Sequence, residues 1–366
     1  MPVRQRFVLK NKKAEMSDLI RKSVQAMEGY VPGEQPKEAD IVKLNTNENP
    51  YLPSPDVQDI LSMIDISVLS RYPDPVCLEL RKAIAELHGC DVDHVFVGNG
   101  SDEVLALCIR AFVERDGSVG YFDPSYSLYP VLADIEDVEK KPVPLDAEYG
   151  WQMPADYSAS LFFLTHPNAP TSFSYDRSSI EDFVKNFGGV VLIDEAYADF
   201  AAENCMDLAL KYDNVIVART LSKSYSLAGI RLGYCVGCAE LIGAMYKIKD
   251  SYNVNYLTQE IARVAILDQA TMKANVSAII ETRRMVTEKL EAFGFEVGKS
   301  ETNFLWVKPQ GISAKELFEA LRKKNIIVRY FGKDERTKDY LRVTIGTAPE
   351  MLKFLDATEA VLNGVE

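Results

Sequence analysis

Short, largely apolar, β-rich runs alternate with helical periodicity up to about residue 270. The runs are H-V-F-V (94–97), S-V-G-Y-F (118–122), S-L-F-F-L (160–164), V-V-L-I (190–193), N-V-I-V-A (214–218) and G-Y-C-V (233–236). Each is too short for a helix and lacks a polar alternate, so each reads as a strand buried on both faces. Amphipathic stretches such as 103–113 and 178–186 lie between them. This alternation predicts an α/β fold with a mostly parallel sheet covered by helices.

The texture changes near residue 270. A long helical pattern over 271–293 is followed by T-N-F-L-W-V (302–307), a helix over 313–324, I-I-V-R-Y (326–330), Y-L-R-V-T-I (340–345) and a last helix from about Pro349. That order predicts a smaller α+β unit. The N-terminal part carries one amphipathic helix, about 16–28, and then the extended stretch G-Y-V-P-G-E-Q-P. The expected organisation is an N-terminal arm (1–40), a large domain (41–270) and a small C-terminal domain (271–366) against which the arm packs.

Charge narrows the partners. The 366 residues carry a net charge of −13, so nucleic acid and anionic membrane surfaces are disfavoured by repulsion. No apolar run approaches the roughly 20 residues that span a bilayer, and the basic N-terminus M-P-V-R-Q-R-F-V-L-K-N-K-K lacks the apolar stretch of a secretory signal. Six scattered cysteines fit a reducing, cytoplasmic setting better than a disulfide scaffold. Cys235 and Cys238 form one C-x-x-C with no second pair to complete a zinc site, and read as core thiols. Three histidines, His88, His94 and His166, make a metal centre improbable.

The candidate chemistry sits at strand ends. Asp194 follows V-V-L-I directly, at the carboxyl edge where open α/β sheets bind ligands; alone, it reads equally well as a helix cap. The next strand runs into T-L-S-K, so Lys223 ends a strand consecutive in the chain. Lys223 has hydroxyl and apolar neighbours, a poor surface and a good cavity lining. G-N-G-S-D-E-V (98–104) follows a strand and opens a helix. Free N–H groups there make either an anion cradle or an ordinary capped start. Position 103 is glutamate, so this is not the dinucleotide fingerprint. A lysine, a strand-end acid and a phosphate cradle together describe a site for pyridoxal 5'-phosphate. Arg231, eight residues beyond the lysine, adds a guanidinium for the phosphate.

The motifs then carry a resemblance. S-K-S-Y-S-L-A-G-I-R-L-G (222–233) resembles the lysine motif of fold-type I aminotransferases. L-N-T-N-E-N-P (44–50), S-R-Y-P-D-P (70–75), G-N-G-S-D-E (98–103), D-P-S-Y (123–126), D-E-A-Y (194–197), S-E-T-N-F (300–304) and L-R-V-T-I-G-T (341–347) occur in the order seen in histidinol-phosphate aminotransferases. The resemblance implies a large domain around a mostly parallel seven-stranded sheet and a homodimer with sites shared between subunits. It implies transamination between L-histidinol phosphate and 2-oxoglutarate, giving imidazole-acetol phosphate and glutamate. Relatives acting on aromatic amino acids or decarboxylating phosphothreonine are the alternatives, with a cofactor-binding regulator as the non-enzymatic one.

By the same resemblance, Lys223 bonds to the cofactor aldehyde, Asp194 pairs with its pyridine nitrogen, Tyr197 donates to its phenolic oxygen and Tyr126 stacks on the ring. Ser101, Asp102, Ser222 and Arg231 surround its phosphate, and Tyr72 reaches the phosphate of the other subunit's site. Arg342 grips the substrate carboxylate, Arg329 helps bind the substrate phosphate and Tyr30 closes over the substrate. From the residues alone, the two arginines read equally as surface charges. One departure stands out. Where the family commonly reads P-N-N-P-T-G, this chain reads P-N-A-P-T-S (167–172), so Ala169 occupies the place of the asparagine that bonds the ring oxygen. Asn168 is the candidate replacement.

Overall fold

The computed structural model describes residues 19–37 and 40–364. The basic stretch 1–13 and the start of the expected first helix lie outside them; the described helix of the arm covers only Lys22–Ala26.

Seven strands form the central sheet: β1 (Val95–Gly98), β2 (Ser118–Asp123), β3 (Glu139–Pro144), β4 (Leu161–Thr165), β5 (Val190–Asp194), β6 (Val215–Thr220) and β7 (Gly233–Gly237). Their spatial order is β1-β7-β6-β5-β4-β2-β3, parallel throughout except for β7, which runs against both neighbours. Alternate side chains feed two cores. Phe162, Leu164, Val191, Ile193, Val215 and Val217 pack on one face, whereas Leu161, Phe163, Leu192, Ile216 and Ala218 pack on the other. A strand apolar on both sides is what a doubly covered sheet requires.

The C-terminal part builds a four-stranded antiparallel sheet from Glu296–Val297, Phe304–Lys308, Arg329–Tyr330 and Leu341–Thr344. The apolar run 326–330 is two strands. Ile326–Ile327 pairs in parallel with Val42–Lys43, just after the arm, and only Arg329–Tyr330 joins the four-stranded sheet. The chain beyond the arm is thus tied to the C-terminal part before it enters the large sheet. The 24-residue helix Gln269–Ala292 runs between the two regions, its start capped by the Asp268 carboxylate.

Candidate active site

The parallel pairing of β5 with β6 sets Asp194 beside Ala218, at the carboxyl edge of the sheet. The turn after β6 carries Lys223 back over that edge. Both line one cavity of about 350 Å³. Its walls also include Tyr30, Ser101, Asp102, Tyr126, Tyr197, Ser222, Arg231, Arg329 and Arg342, residues drawn from the arm, both sheets and the loops between them.

Lys223 Nζ has one weak partner, the Thr46 carbonyl at 3.4 Å, and lies 5.7 Å from the centre of the Tyr197 ring. No carboxylate pairs with it among the described residues. Its turn is held from below. Asn49 Nδ2 donates to the Lys223 and Ser224 carbonyls at 2.9 and 3.2 Å. The Ser224 hydroxyl donates to Asp199, which also accepts from Arg219 at 3.0 Å. Arg219 forks onto Glu195 Oε2 at 3.0 and 2.7 Å. Burial pushes the Glu195 carboxyl up, and the Arg219 guanidinium beside it pulls back. This buried ion cluster anchors the segment that carries the lysine.

Asp194 is 4% exposed and has no cationic side chain against it among the described residues. The Tyr129 hydroxyl donates to its Oδ2 at 2.8 Å and the Ala196 N–H to its Oδ1 at 3.2 Å. Burial pushes its carboxyl up to about 6; those two donors pull it down, and Asp102 and Glu195 push it further up. A buried carboxylate without a counter-charge is costly, and a cation delivered into the cavity would relieve it.

At one end, β1 leads through Gly98-Asn99-Gly100 into helix α1 (Ser101–Phe112). No side chain caps its start, so its first N–H groups are left for a ligand. Gly100 has φ +87, and a Cβ there would meet Arg231 Nη2 at 2.6 Å. At Gly233 a Cβ would meet the Ser101 backbone N at 2.2 Å. These glycines let the helix start, Arg231 and β7 crowd together. Arg231 contacts Ser222 Oγ at 3.4 Å and Asp102 at 3.3 Å. Uncapped amides, a hydroxyl and a guanidinium converge as a phosphate monoester requires.

The arm and the smaller sheet form the other end. Arg329 and Arg342 are directly opposed in the antiparallel pair. Like charges in that relation repel, so the arrangement calls for an anion between or beside them. Arg342 Nε is shut off from water and has no hydrogen-bond partner among the described residues. Its Nη2 donates to the Asn45 carbonyl at 2.9 Å, and the guanidinium carbon lies 5.3 Å from the Phe304 ring centre. Burial, with Arg329 adding repulsion, lowers its proton affinity. Arg329 donates to the Val31 and Pro32 carbonyls of the arm. Tyr30, 41% exposed, meets Tyr126 edge-on at 6.0 Å between ring centres.

Two residues singled out in the sequence lie elsewhere. Asn168 is fully buried and outside the cavity lining; its Nδ2 donates to the Pro124 carbonyl and to Thr171, and its Oδ1 accepts from Ser125. With every polar group engaged, it has nothing to offer a ring oxygen, and Ala169 faces the cavity in its place. Tyr72 is 80% exposed on the outer surface, stacked on Tyr252 at 4.4 Å. Other residues enter only through the fold. Asn47 Nδ2 donates to the Tyr197 hydroxyl at 2.9 Å, and Tyr129 buttresses Asp194 from helix α2 (Leu128–Glu136). Asn47 stands inside the quoted L-N-T-N-E-N-P, whereas Tyr129 carries no local signal.

The sequence profile described as Aminotransferase class I and II matches residues 39–357. The chain belongs to the class I and II aminotransferases. Among curated members of the family, histidinol-phosphate aminotransferase 2 of Rhizobium meliloti (strain 1021) is 43% identical over 353 residues, covering 95% of this chain and 100% of that protein. The histidinol-phosphate aminotransferase of Syntrophus aciditrophicus (strain SB) is 40% identical over 355 residues, 94% of this chain and 98% of that one. The aminotransferase fold recurs in the crystal structure of histidinol-phosphate aminotransferase from Sinorhizobium meliloti in complex with pyridoxal-5'-phosphate. That structure superposes with a TM-score of 0.85 at 23% identity, over 95% of this chain and 98% of that chain.

Proposed function

We propose that this aminotransferase uses pyridoxal 5'-phosphate to exchange the amino group of L-histidinol phosphate with 2-oxoglutarate, yielding imidazole-acetol phosphate and glutamate. The observation that carries the reading is one cavity holding, among the described residues, an amine without a counter-ion, a buried carboxylate without a counter-ion and two separate anion grips.

The residues fit the cofactor. The uncapped start of α1, Ser101, Ser222 and Arg231 would hold its phosphate, and Asp194 would take its ring nitrogen. Tyr197 would face its phenolic oxygen, Tyr126 its ring, and Lys223 its aldehyde. When bound, the cofactor supplies an electron sink for the carbon that loses its proton. Everything else belongs to the chain. Asp194, whose charged form is favoured by the donors Tyr129 and the Ala196 N–H, would hold a proton on the pyridine nitrogen. Lys223 Nζ, held by no carboxylate among the described residues, would be free to take the α-proton as general base and return it as general acid. Asn47 fixes the Tyr197 hydroxyl, so that it donates in one direction only.

At the far end, Arg342 and Arg329 receive the anion of each substrate in turn: the phosphate of the amino donor, then a carboxylate of the oxo acid. Tyr30 and the arm cover them and exclude water. Relatives of about 40% identity bearing the histidinol-phosphate aminotransferase name support this choice of donor.

The site is proposed to be completed by a second copy of the chain. Exposed Leu52, Met63, Ile66, Leu69 and Tyr72 fall within one segment, apolar side chains that a partner surface would cover. Tyr72 would reach the neighbour's phosphate end from there. A cytoplasmic location is proposed with it, in keeping with six free cysteines and no helix among the described residues long and apolar enough to cross a membrane. Side-by-side turnover of histidinol phosphate, phenylalanine and phosphothreonine tests the assignment. Histidinol phosphate is expected to have the highest kcat/KM, and preference for either of the others would overturn it.

A further inference from the structure

Beneath the cavity floor, a line of hydroxyls leads away from Asp194. Tyr129 Oη lies 2.8 Å from Asp194 Oδ2 and 2.5 Å from Thr165 Oγ1. Thr165 Oγ1 lies 2.9 Å from Ser125 Oγ, which lies 3.0 Å from Asn168 Oδ1. Tyr129 and Asn168 are fully buried and Thr165 nearly so. Thr165 and Ser125 touch the cavity wall. The far end is fixed: Asn168 Nδ2 donates to the Pro124 carbonyl, which can only accept, so Oδ1 must face Ser125 as an acceptor.

Counting hydrogens gives this line two states. Four contacts are shared by three hydroxyls, each with one hydrogen. When Asp194 is ionised, Tyr129 donates to it, Thr165 must donate to Tyr129, and Ser125 has one hydrogen for two acceptors, Thr165 and Asn168. One contact then lacks a hydrogen. When Asp194 carries a proton on Oδ2, every donor reverses: Asp194 to Tyr129, Tyr129 to Thr165, Thr165 to Ser125, Ser125 to Asn168. All four contacts are then filled.

We infer that Tyr129, Thr165 and Ser125 form a reversible hydroxyl chain that couples the proton of Asp194 to the cavity wall, with Tyr129 as positioning residue and Asn168 as terminal acceptor. Asn168 thereby acquires a role other than ring-oxygen partner. Ionising Asp194 frees the lone pairs of Ser125 from Thr165, so Ser125 can accept from a donor inside the cavity. The groups that face the Asp194 carboxyl are few. Among the described residues they are Tyr129 from α2, the Ala196 N–H and Glu195 on its own segment, and Asp102 from α1, while Tyr126, Tyr197 and Lys223 line the same cavity. His166, at the end of the neighbouring strand, uses Nδ1 to accept from the Tyr175 N–H.

The chain predicts shifts of opposite sign. Tyr129→Phe removes the donor to the ionised carboxylate and is expected to raise the Asp194 pKa by about one unit or more. Ser125→Ala removes the acceptor that only the protonated state needs and is expected to lower it by about half a unit. The readout is the 13C shift of the Asp194 carboxyl against pH in the full-length chain without cofactor, assigned by its loss in Asp194→Asn. Tyr129→Phe keeps the ring that stacks on Phe163 at 4.7 Å, and Ser125 is only partly buried, so both variants retain their packing. An unchanged or lowered value in Tyr129→Phe overturns the proposal, as does an unchanged or raised value in Ser125→Ala. The coupling matters for turnover only if Asp194 serves the cofactor as proposed above. Because the titration is made without cofactor, its failure would leave that assignment standing.

Discussion

Replacing Asp194 with asparagine should make the cofactor-free protein more stable while crippling its cofactor site. The carboxyl is 4% exposed and pushed from its usual 3.8 up to about 6. Its folded-state pKa therefore lies above its unfolded one, and the proton binds the folded chain more tightly. The group's contribution is most favourable below about pH 3.8, falls as pH rises to about 6, and is flat above. At pH 7 the ionised carboxylate costs the folded state about 3 kcal/mol relative to a neutral group, and at pH 5 about half of that. The amide introduced by Asp194→Asn would imitate the protonated acid, its nitrogen donating to Tyr129 while its oxygen still accepts from the Ala196 N–H. Urea unfolding of wild type and Asp194→Asn without cofactor, at pH 7 and pH 5, measures the difference. The variant should gain about 3 kcal/mol at pH 7 and about half of that at pH 5, with pyridoxal 5'-phosphate bound far more weakly. A variant no more stable than wild type, or a gain of equal size at both pH values, would refute the reasoning.

Two other substitutions probe the anchoring and the substrate end. Arg219→Met leaves Glu195 buried and unpaired and releases Asp199, so unfolding should become easier by about 3–5 kcal/mol; a loss below about 1 kcal/mol in urea titration would contradict the account. Arg329→Ala removes one guanidinium of the opposed pair but leaves Arg342, so kcat/KM for histidinol phosphate should fall at least about tenfold more than that for glutamate. Equal losses for both substrates would undercut the proposed phosphate contact.

The strands of the central sheet were legible because burial on both faces leaves an uninterrupted apolar signature that no helix of that length imitates. β3 escaped notice for the complementary reason. Its sequence E-K-K-P-V-P is mostly exposed and carries two prolines, tolerable only at a sheet edge, where the structure places it. The run 326–330 reads as one strand, because pairing partners far away in sequence, Val42–Lys43 and Leu341–Arg342, decide where it divides. At the site, Asp194, Lys223 and Gly98–Ser101 announce themselves by standing where strands end. Tyr129, Thr165 and Ser125 do not: their meaning lies in one hydrogen per hydroxyl and in distances across three elements. Asn168 shows the limit of motif reading, since adjacency in sequence placed it near the ring oxygen while Pro124 and Thr171 had already claimed its amide.

The central claim is that Lys223 is the amine joined to the cofactor. Incubating the full-length protein with pyridoxal 5'-phosphate, reducing it with borohydride and mapping the added mass by peptide mass spectrometry tests this directly. The account predicts a single stoichiometric label on the peptide containing Lys223, absent when Lys223→Ala is treated alike. A label on another lysine, or none at all, would contradict it.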